Sequence, residues 1–171
     1  MTEIVVRALT EDEWELLRSL RLNALQESPD AFVASYDDEA DESEDFWRAR
    51  LRRSRRLVAE ADGEPAGLVS IGTLDGVDNG AEFFGLWVAP QWRGRSIAAN
   101  LVKSGATYAA EQGFDRIAYW VGTDNGRAVA FASSFGFRPT GRRRPMRVQN
   151  GDGDEEEIAM VLPLTEDRRG F

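Results

Sequence analysis

Short apolar runs alternate with stretches of helical period along the chain, so both strands and helices are predicted. Short apolar runs between turn residues predict strands at residues 4–9, 55–60, 65–71, 81–88, 114–121 and 158–162, and the run at 114–121 alternates. Helical spacing of apolar residues predicts helices that begin near residues 10, 46 and 97. The capping residues Thr123–Asn125 predict a further short helix that stops at Gly136. Hairpins come early, and a strand–helix–strand–helix unit comes late. The predicted fold class is therefore α+β or mixed α/β.

Turn and capping residues stand at the ends of these segments. Thr10–Glu13 fits a capping box at the start of the first helix, and Pro29 ends that helix. Asp62 and Gly63 form a hairpin signal between the second and third strands. Gly113 stands where the C-cap glycine of the helix from residue 97 belongs. The element boundaries thus have local chemical reasons.

Length and composition predict a single domain over residues 1–171 with a core of ordinary size, since 42% of the residues are hydrophobic. No apolar run reaches about 18 residues, so no membrane span is expected. The N-terminus lacks the zones of a signal peptide, and the chain has no Cys, so we expect a cytoplasmic protein. The absence of His excludes His-dependent triads and His-ligated zinc, and no metal is predicted.

The formal charge of −9 disfavours nonspecific binding of nucleic acid by the whole surface. Two basic clusters, Arg52–Arg56 and Arg142–Arg144, are the local exceptions. Such clusters can contact phosphate, but they are more often solvated arms of helices or loops. A nucleic-acid partner is therefore not expected.

The turn between the strand that ends at Val88 and the helix that begins at Ile97 carries the candidate chemistry. Its small residues let a ligand approach the backbone, and the start of a helix favours an anion. Arg93 and Arg95 can add charge-assisted hydrogen bonds. The turn is predicted to hold a phosphate-bearing cofactor. The alternative is an ordinary strand-to-helix connection with exposed arginines.

Several segments together resemble the GNAT superfamily of N-acetyltransferases over most of the chain. They are VAPQWRGRSIA (residues 88–98), Asn125 with Ala128, SFGFRP (134–139), SPDAF (28–32) and IAMVLP (158–163). The resemblance implies a central, mostly antiparallel twisted sheet flanked by helices, with splayed strands that hold the cofactor. It also implies acetyl-CoA as co-substrate without a metal, and a primary amine on a small molecule, an amino-acid-like compound or a protein as acceptor. A homodimer is compatible with it.

The resemblance also assigns the cofactor-binding residues. In the family pattern R-x-x-G-x-G/A, main-chain N–H groups wrap the CoA pyrophosphate. The matching residues here are Arg93, Gly94, Arg95, Ser96, Ile97 and Ala98. Ser96 replaces the usual glycine; a serine can adopt helical geometry and offers a hydroxyl, but its side chain crowds the approach. The backbone of Leu86, Trp87 and Val88 is expected to carry the pantetheine. Asn125 is expected to contact the pantetheine arm, with a simple helix N-cap as the alternative.

For catalysis, the resemblance points to Glu82 as general base and to the N–H of Val88 as a donor to the oxyanion. Residues 82, 84, 86 and 88 share one face of an ideal strand, although a bulge would change this alternation. The alternative for Glu82 is an exposed strand residue. The tyrosine that often protonates the departing thiolate is missing, because its position is occupied by Ala132.

The acceptor site is the least defined part of the prediction. The acidic run Asp37–Asp45 can attract a cationic amine, but a run of acids is more often a solvated face. The leading hypothesis is an acetyl-CoA-dependent N-acetyltransferase. A catalytically weak CoA-binding or regulatory module is the alternative, because Ser96 and Ala132 depart from the family pattern.

Overall fold

The structure is a computed structural model that describes residues 2–29, 32, 34–145 and 156–164. Within these residues there are seven strands and five α-helices. The strands are β1 Ile4–Ala8, β2 Arg55–Ala61, β3 Glu64–Thr73, β4 Gly80–Val88, β5 Arg116–Gly122, β6 Arg138–Pro145 and β7 Glu156–Pro163. The helices are α1 Trp14–Glu27, α2 Tyr36–Ala40, α3 Glu44–Arg53, α4 Ile97–Glu111 and α5 Gly126–Ser133. The predicted mixture of helices and strands is confirmed.

The strands form one sheet in the order β1-β2-β3-β4-β5-β7-β6. β1 pairs with β2, β5 with β7, and β6 with β7, all in antiparallel orientation. β4 and β5 are parallel, and their register joins Gly80–Phe83 to Arg116–Tyr119. The sheet is therefore mostly antiparallel, as the resemblance implied.

Two elements were not predicted from the sequence. β6 has the sequence RPTGRRRP, which lacks apolar alternation, so its backbone pairing with β7 defines it as a strand. α2 is a five-residue helix whose first turn is capped by Ser35, which accepts a hydrogen bond from the N–H of Asp38 at 3.1 Å. The strand predicted at 158–162 begins earlier than expected, because Glu156 and Glu157 already belong to β7; residues 150–155 lie outside the described residues.

The chain divides into two compact units. The first contains the described residues within Met1–Ser70 and Gly85–Ser104. Its core is a cluster of buried apolar side chains from the helices and strands of this unit, with Trp14, Leu16, Ala40, Phe46, Leu51 and Trp92 packed against it. The buried members are Leu9, Leu17, Leu20, Leu22, Ala24, Leu25, Phe32, Trp47, Val58, Leu68, Trp87 and Ala89. The prediction that the whole chain is a single domain stays a prediction.

The second unit contains the described residues within Ile71–Phe84, Gly105–Met146 and Gly151–Phe171. Tyr119 forms ring contacts with Phe83, Phe131 and Phe137 at 6.1–6.4 Å between centroids. A Cβ at Gly105 would lie 2.3 Å from the Phe83 ring, so glycine lets α4 pack closely there. Burial raises the pKa of Tyr119 above its usual value of 10.0. Tyr119 is thus a partly buried member of an aromatic group in this unit.

None of the helices described by the structure is both long and apolar enough to cross a membrane.

Candidate active site

The turn before α4 has a left-handed backbone at two positions. Gly94 has a φ of +77°, and nothing lies within 4 Å of the place where a Cβ would stand. Ser96 has a φ of +69°, and α4 begins at the next residue. The suggestion that a serine at this position adopts helical geometry is therefore wrong, because the turn requires the conformation that favours glycine. Left-handed backbone costs a non-glycine residue about 1–2 kcal/mol.

The first turn of α4 presents backbone N–H groups at the end of this turn. Asn100 donates its N–H to the Ser96 carbonyl at 3.0 Å, and its side-chain amide donates to the same oxygen at 2.7 Å. The amides of Ile97, Ala98 and Ala99 lie earlier in the helix, where no carbonyl of the same helix is within reach. Gly94 and Ser96 are exposed. Residues 93–96 are exposed and lead directly into α4 at Ile97, so the predicted pyrophosphate-binding residues lie at a helix N-terminus, which suits an anion.

Arg93 uses its guanidinium within the protein. Its Nε donates to the Val88 carbonyl at 3.0 Å, and its two Nη atoms donate to the Glu27 carboxylate at 2.6 and 3.3 Å. Arg95 is exposed, and its guanidinium carbon lies 5.4 Å from the centroid of the Trp92 ring. The two arginines therefore differ, because the Arg93 side chain orders the strand end whereas the Arg95 charge faces solvent.

Glu27, at the C-terminal end of α1, is a residue that the sequence analysis missed. In addition to its two bonds from Arg93, it accepts a hydrogen bond from the indole N–H of Trp87 at 3.0 Å. Hydrogen bonds from Arg93, Ser28 and Trp87 lower the pKa of Glu27 to about 2. More than 55 residues of sequence separate Glu27 from Trp87 and Arg93, so no local pattern indicates this contact.

The peptide group that follows Val88 is held on both sides. Its carbonyl accepts from Arg93, and its N–H, which belongs to Ala89, donates to the Ala66 carbonyl at 2.8 Å. A Cβ at Gly67 would lie 2.9 Å from the Trp87 carbonyl oxygen and 3.0 Å from Ile97 Cγ2. Glycine in β3 therefore allows a close approach of both the end of β4 and the start of α4.

The end of β4 does not follow regular strand alternation. Gly85 has a φ of +64°, a conformation that an extended strand does not contain. The regular alternation of side chains is therefore interrupted between residues 82 and 88, as expected where a bulge is present. The expectation that these two residues share one face of the strand no longer follows. Leu86, Trp87 and Val88 follow Gly85 and lie beyond Phe83, the last β4 residue in the register with β5.

Glu82 lies in the second unit, among polar partners. Its Oε1 accepts a hydrogen bond from the indole N–H of Trp120 at 2.8 Å and lies 3.9 Å from Nη1 of Arg144. The side chain is 20% exposed, so it is not a freely solvated strand residue. A carboxylate with this limited access to solvent is suited to accept a proton from a bound group, and its role as general base remains a hypothesis.

Asn125 is the N-cap of α5. Its Oδ1 accepts a hydrogen bond from the N–H of Ala128 at 3.0 Å, which is the capping role named as the alternative. The side chain is exposed, and a contact of Asn125 with a pantetheine arm stays a prediction. Ala132, in the same helix, is fully buried.

The acidic segment is used largely by the fold. Asp38 completes the capping box of α2, and Glu39 is buried between Arg21 and Arg50. Burial alone would raise the pKa of Glu39, but the hydrogen bonds from both arginines outweigh it and hold that pKa below its usual value of 4.5. Only the exposed acids of this run, such as Asp37, remain suited to attract a cation from solution.

The two basic clusters also make contacts within the protein. Arg52 donates to Glu11 at 2.5 Å, Arg142 donates to the carbonyl of Asp75, and Arg144 donates to Glu157. No group of three or more potential metal ligands occurs among the residues that the structure describes.

Comparison with known proteins places these features in one family. The model of the acetyltransferase (GNAT) family matches residues 14–137, well over half of the chain. An uncharacterized N-acetyltransferase from Methanocaldococcus jannaschii is 28% identical over 95 residues. That alignment covers 53% of this chain and 42% of the archaeal protein, so the chain spans less than half the length of this relative.

Solved structures share the fold over nearly the whole chain. A spermidine N-acetyltransferase from Vibrio cholerae, in complex with CoA and spermine, has a TM-score of 0.73 at 21% identity and covers 94% of this chain and 95% of its own. The ribosomal-protein-S18-alanine N-acetyltransferase from Escherichia coli has a TM-score of 0.69 at 18% identity, with 95% of each chain covered. At these identities the similarity establishes the fold.

Proposed function

Because the chain belongs to the acetyltransferase (GNAT) family, we propose that it is an N-acetyltransferase that moves the acetyl group of acetyl-CoA to a primary amine. The observation that carries the proposal is the turn at residues 93–98, with left-handed backbone at Gly94 and Ser96 and first-turn amides of α4 behind it. This arrangement supports binding of the CoA diphosphate through the main chain.

The residues of the turn fit such a ligand. Gly94 leaves open space at its Cβ position, and the exposed Arg95 adds a positive charge beside the amides. The backbone of Leu86, Trp87 and Val88 would bind the pantetheine, together with the side chain of Asn125. Arg93 and Glu27 would position the strand end rather than contact the phosphates, because their charges are already paired.

Glu82 supplies the proton acceptor that the reaction needs. Acetyl-CoA supplies an activated thioester, and its sulfur leaves readily as a thiolate, because a thiol has a pKa of about 8.5. An alkyl amine has a pKa near roughly 10.4, so it must lose a proton before it attacks. Glu82 would take this proton directly or through water, and the N–H of Val88 would donate to the oxyanion. With Ala132 at the usual tyrosine position, water would return a proton to the thiolate.

The acceptor is proposed only as a class. The two structural neighbours are named as N-acetyltransferases of spermidine and of an alanine of a ribosomal protein. A small amine, an amino-acid-like compound and a protein amine are all consistent with the proposal.

Calorimetry with CoA and with acetyl-CoA tests the cofactor part. We expect stoichiometric binding of both molecules to the folded protein, and absence of heat from both would overturn the proposal. Release of free CoA thiol is then measured over a panel of amines. Tight binding without release on any amine would instead support the alternative, a CoA-binding or regulatory module.

A matched pair of glycine variants separates the binding turn from general backbone strain. Gly94 and Gly63 both have positive φ values, +77° and +86°, and both have open space at the Cβ position, but Gly63 lies in the β2–β3 hairpin. We expect Gly94→Ala and Gly63→Ala to cost similar stability. Only Gly94→Ala should weaken acetyl-CoA binding, by about tenfold, because the close backbone approach is lost. Equal affinities for the two variants would argue against the turn as the binding site.

A further inference from the structure

Polar side chains from adjacent strands share one face of the sheet in the second unit. Glu82 is paired with Ala118 in the β4–β5 register, and Trp120 lies two residues further along β5, on the same face. Gly122, again two residues further, is paired with Glu157 of β7. Glu82, Trp120 and Glu157 therefore project from the same side of three neighbouring strands.

A fourth strand adds a cation to this face. Arg144 of β6 is paired with Glu157, and its Nε donates a hydrogen bond to the Glu157 carboxylate. The guanidinium carbon lies 3.9 Å from the centroid of the Trp120 ring, and Nη1 lies 3.9 Å from Oε1 of Glu82. The Arg144 guanidinium is thus stacked on an indole and flanked by two carboxylates.

An aromatic face with carboxylates beside it is the chemistry that recognises an ammonium or guanidinium group. The formal charges of Glu82, Glu157 and Arg144 add to −1, so the group stays negative even with the arginine in place. An anionic ligand would lie against two carboxylates, which disfavours it. The group therefore suits a cation.

We propose that Glu82, Trp120 and Glu157 bind the cationic head group of the acceptor, and that Arg144 occupies this place when no acceptor is bound. The inference rests on the proposed function, since Glu82 is there the proton acceptor. Arg144 is then a specificity-determining residue, because an acceptor must replace its guanidinium on the indole. Its place on an edge strand and its 32% exposure give the side chain solvent to move into.

Binding of butylammonium in the absence of acetyl-CoA tests the site without any reaction. The indole N–H resonance of Trp120, identified by its loss in Trp120→Phe, is followed by NMR during the titration. We expect a saturable shift in the unaltered protein. Arg144→Met keeps an unbranched apolar side chain but removes the competing cation, and should tighten butylammonium binding by about tenfold.

Neighbouring residues supply the controls. Arg143 lies 3.9 Å from Glu156 on the same two strands, but its side chain alternates to the opposite face. Arg143→Met should leave butylammonium affinity unchanged, whereas Glu157→Gln should weaken it several-fold. Butanesulfonate, an anion of the same chain length, should not shift the Trp120 signal.

Unchanged or weaker butylammonium binding in Arg144→Met would overturn the proposal, and so would butanesulfonate binding that depends on Arg144. If Arg144→Met does not fold, unchanged affinity in Glu157→Gln would overturn it equally. The outcome is separable from the proposed function. A protein without transferase activity can still pass this test, and an active transferase that fails it overturns the cation site alone.

Discussion

Glu39 and Glu82 are both carboxylates that lie near arginines, yet the structure uses them differently. Glu39 accepts four hydrogen bonds, two from Arg21 and two from Arg50, and its side chain is only 5% exposed. Among the residues that the structure describes, Glu82 accepts a hydrogen bond from Trp120 and has Arg144 at 3.9 Å, and its side chain is 20% exposed.

The difference bears on which of the two carboxylates is the better candidate for proton transfer. A carboxylate has about four lone-pair positions, and all of those of Glu39 have a donor. Within the described part of the chain, Glu82 has fewer donors than Glu39 and is only partly shielded from solvent, so it can still accept a proton from a bound group. Glu39 therefore stabilises the fold of the first unit, whereas Glu82 is the better candidate for proton transfer in the second unit.

The largest expected effect is on turnover, and it tests whether Glu82 is the proton acceptor. We expect Glu82→Gln to lower kcat by about 10²–10⁴-fold, because the amide cannot accept the proton of the amine. Calorimetry should show nearly unchanged acetyl-CoA binding. Glu60→Gln is the matched control, since Glu60 is a strand glutamate that is 23% exposed and pairs with Arg7. Unchanged turnover in Glu82→Gln would remove its assignment as the base.

The next largest effect is on stability, and it tests whether Glu39 stabilises the fold. Glu39→Gln leaves Arg21 and Arg50 without their shared counter-charge, and should lower the free energy of unfolding by about 3 kcal/mol. Urea denaturation measures this loss, and kcat per folded molecule should stay unchanged. Asp37→Asn, at an exposed position of the same helix, should change stability little. A loss of less than about 1 kcal/mol for Glu39→Gln would contradict the conclusion that the fully hydrogen-bonded Glu39 stabilises the fold.

The pH dependence of stability sharpens the same contrast. The pKa of Glu39 is lowered, and hydrogen bonds from Arg7 and Thr10 lower the pKa of Glu13 from 4.5 to about 2. A carboxyl group with a depressed pKa in the folded state stabilises the fold above its usual pKa, and this contribution is lost as the pH falls. We expect stability to decrease between about pH 4.5 and pH 2. Denaturation curves for Glu39→Gln should decrease less steeply, and an equal slope would count against Glu39.

The smallest expected effect concerns the backbone of the turn at residues 93–98. Ser96→Gly relieves the left-handed strain of about 1–2 kcal/mol but adds freedom to the unfolded chain, so a net gain of about 0.5–1 kcal/mol is expected. Acetyl-CoA should also bind more tightly, because the serine side chain no longer crowds the turn. Asn79→Gly, at a φ of +58° outside the turn, should leave the affinity unchanged. Weaker acetyl-CoA binding in Ser96→Gly would show that the Ser96 hydroxyl contributes to the site.

Parts of the candidate site were predictable because their signals are contiguous in sequence. Residues 93–98 combine small residues, two arginines and a predicted helix start, and the structure places them at the N-terminus of α4. Asn125 was predictable as a cap for the same reason. The conformation of Ser96 was not predictable, because the local sequence also permits a helical serine. In the structure the chain runs from the short turn at Pro90–Trp92 into α4 with a positive φ at Ser96.

The sequence by itself determined the order of most helices and strands, many of the caps and turns between them, and the family of the chain. Each of these depends on residues that are neighbours along the backbone or on their periodicity. β6 escaped detection, because a strand rich in arginine has no apolar alternation and is defined by its partner β7.

Only the tertiary structure decided which charges are neutralised and which remain accessible. Glu27 meets Trp87 and Arg93, Glu39 meets Arg21, and Glu82 meets Trp120 and Arg144, each across 18 or more positions of the chain. Such contacts depend on strand register and helix packing, which local propensity does not encode. A carboxylate in the sequence has no fixed role until packing sets its donors and its exposure to solvent.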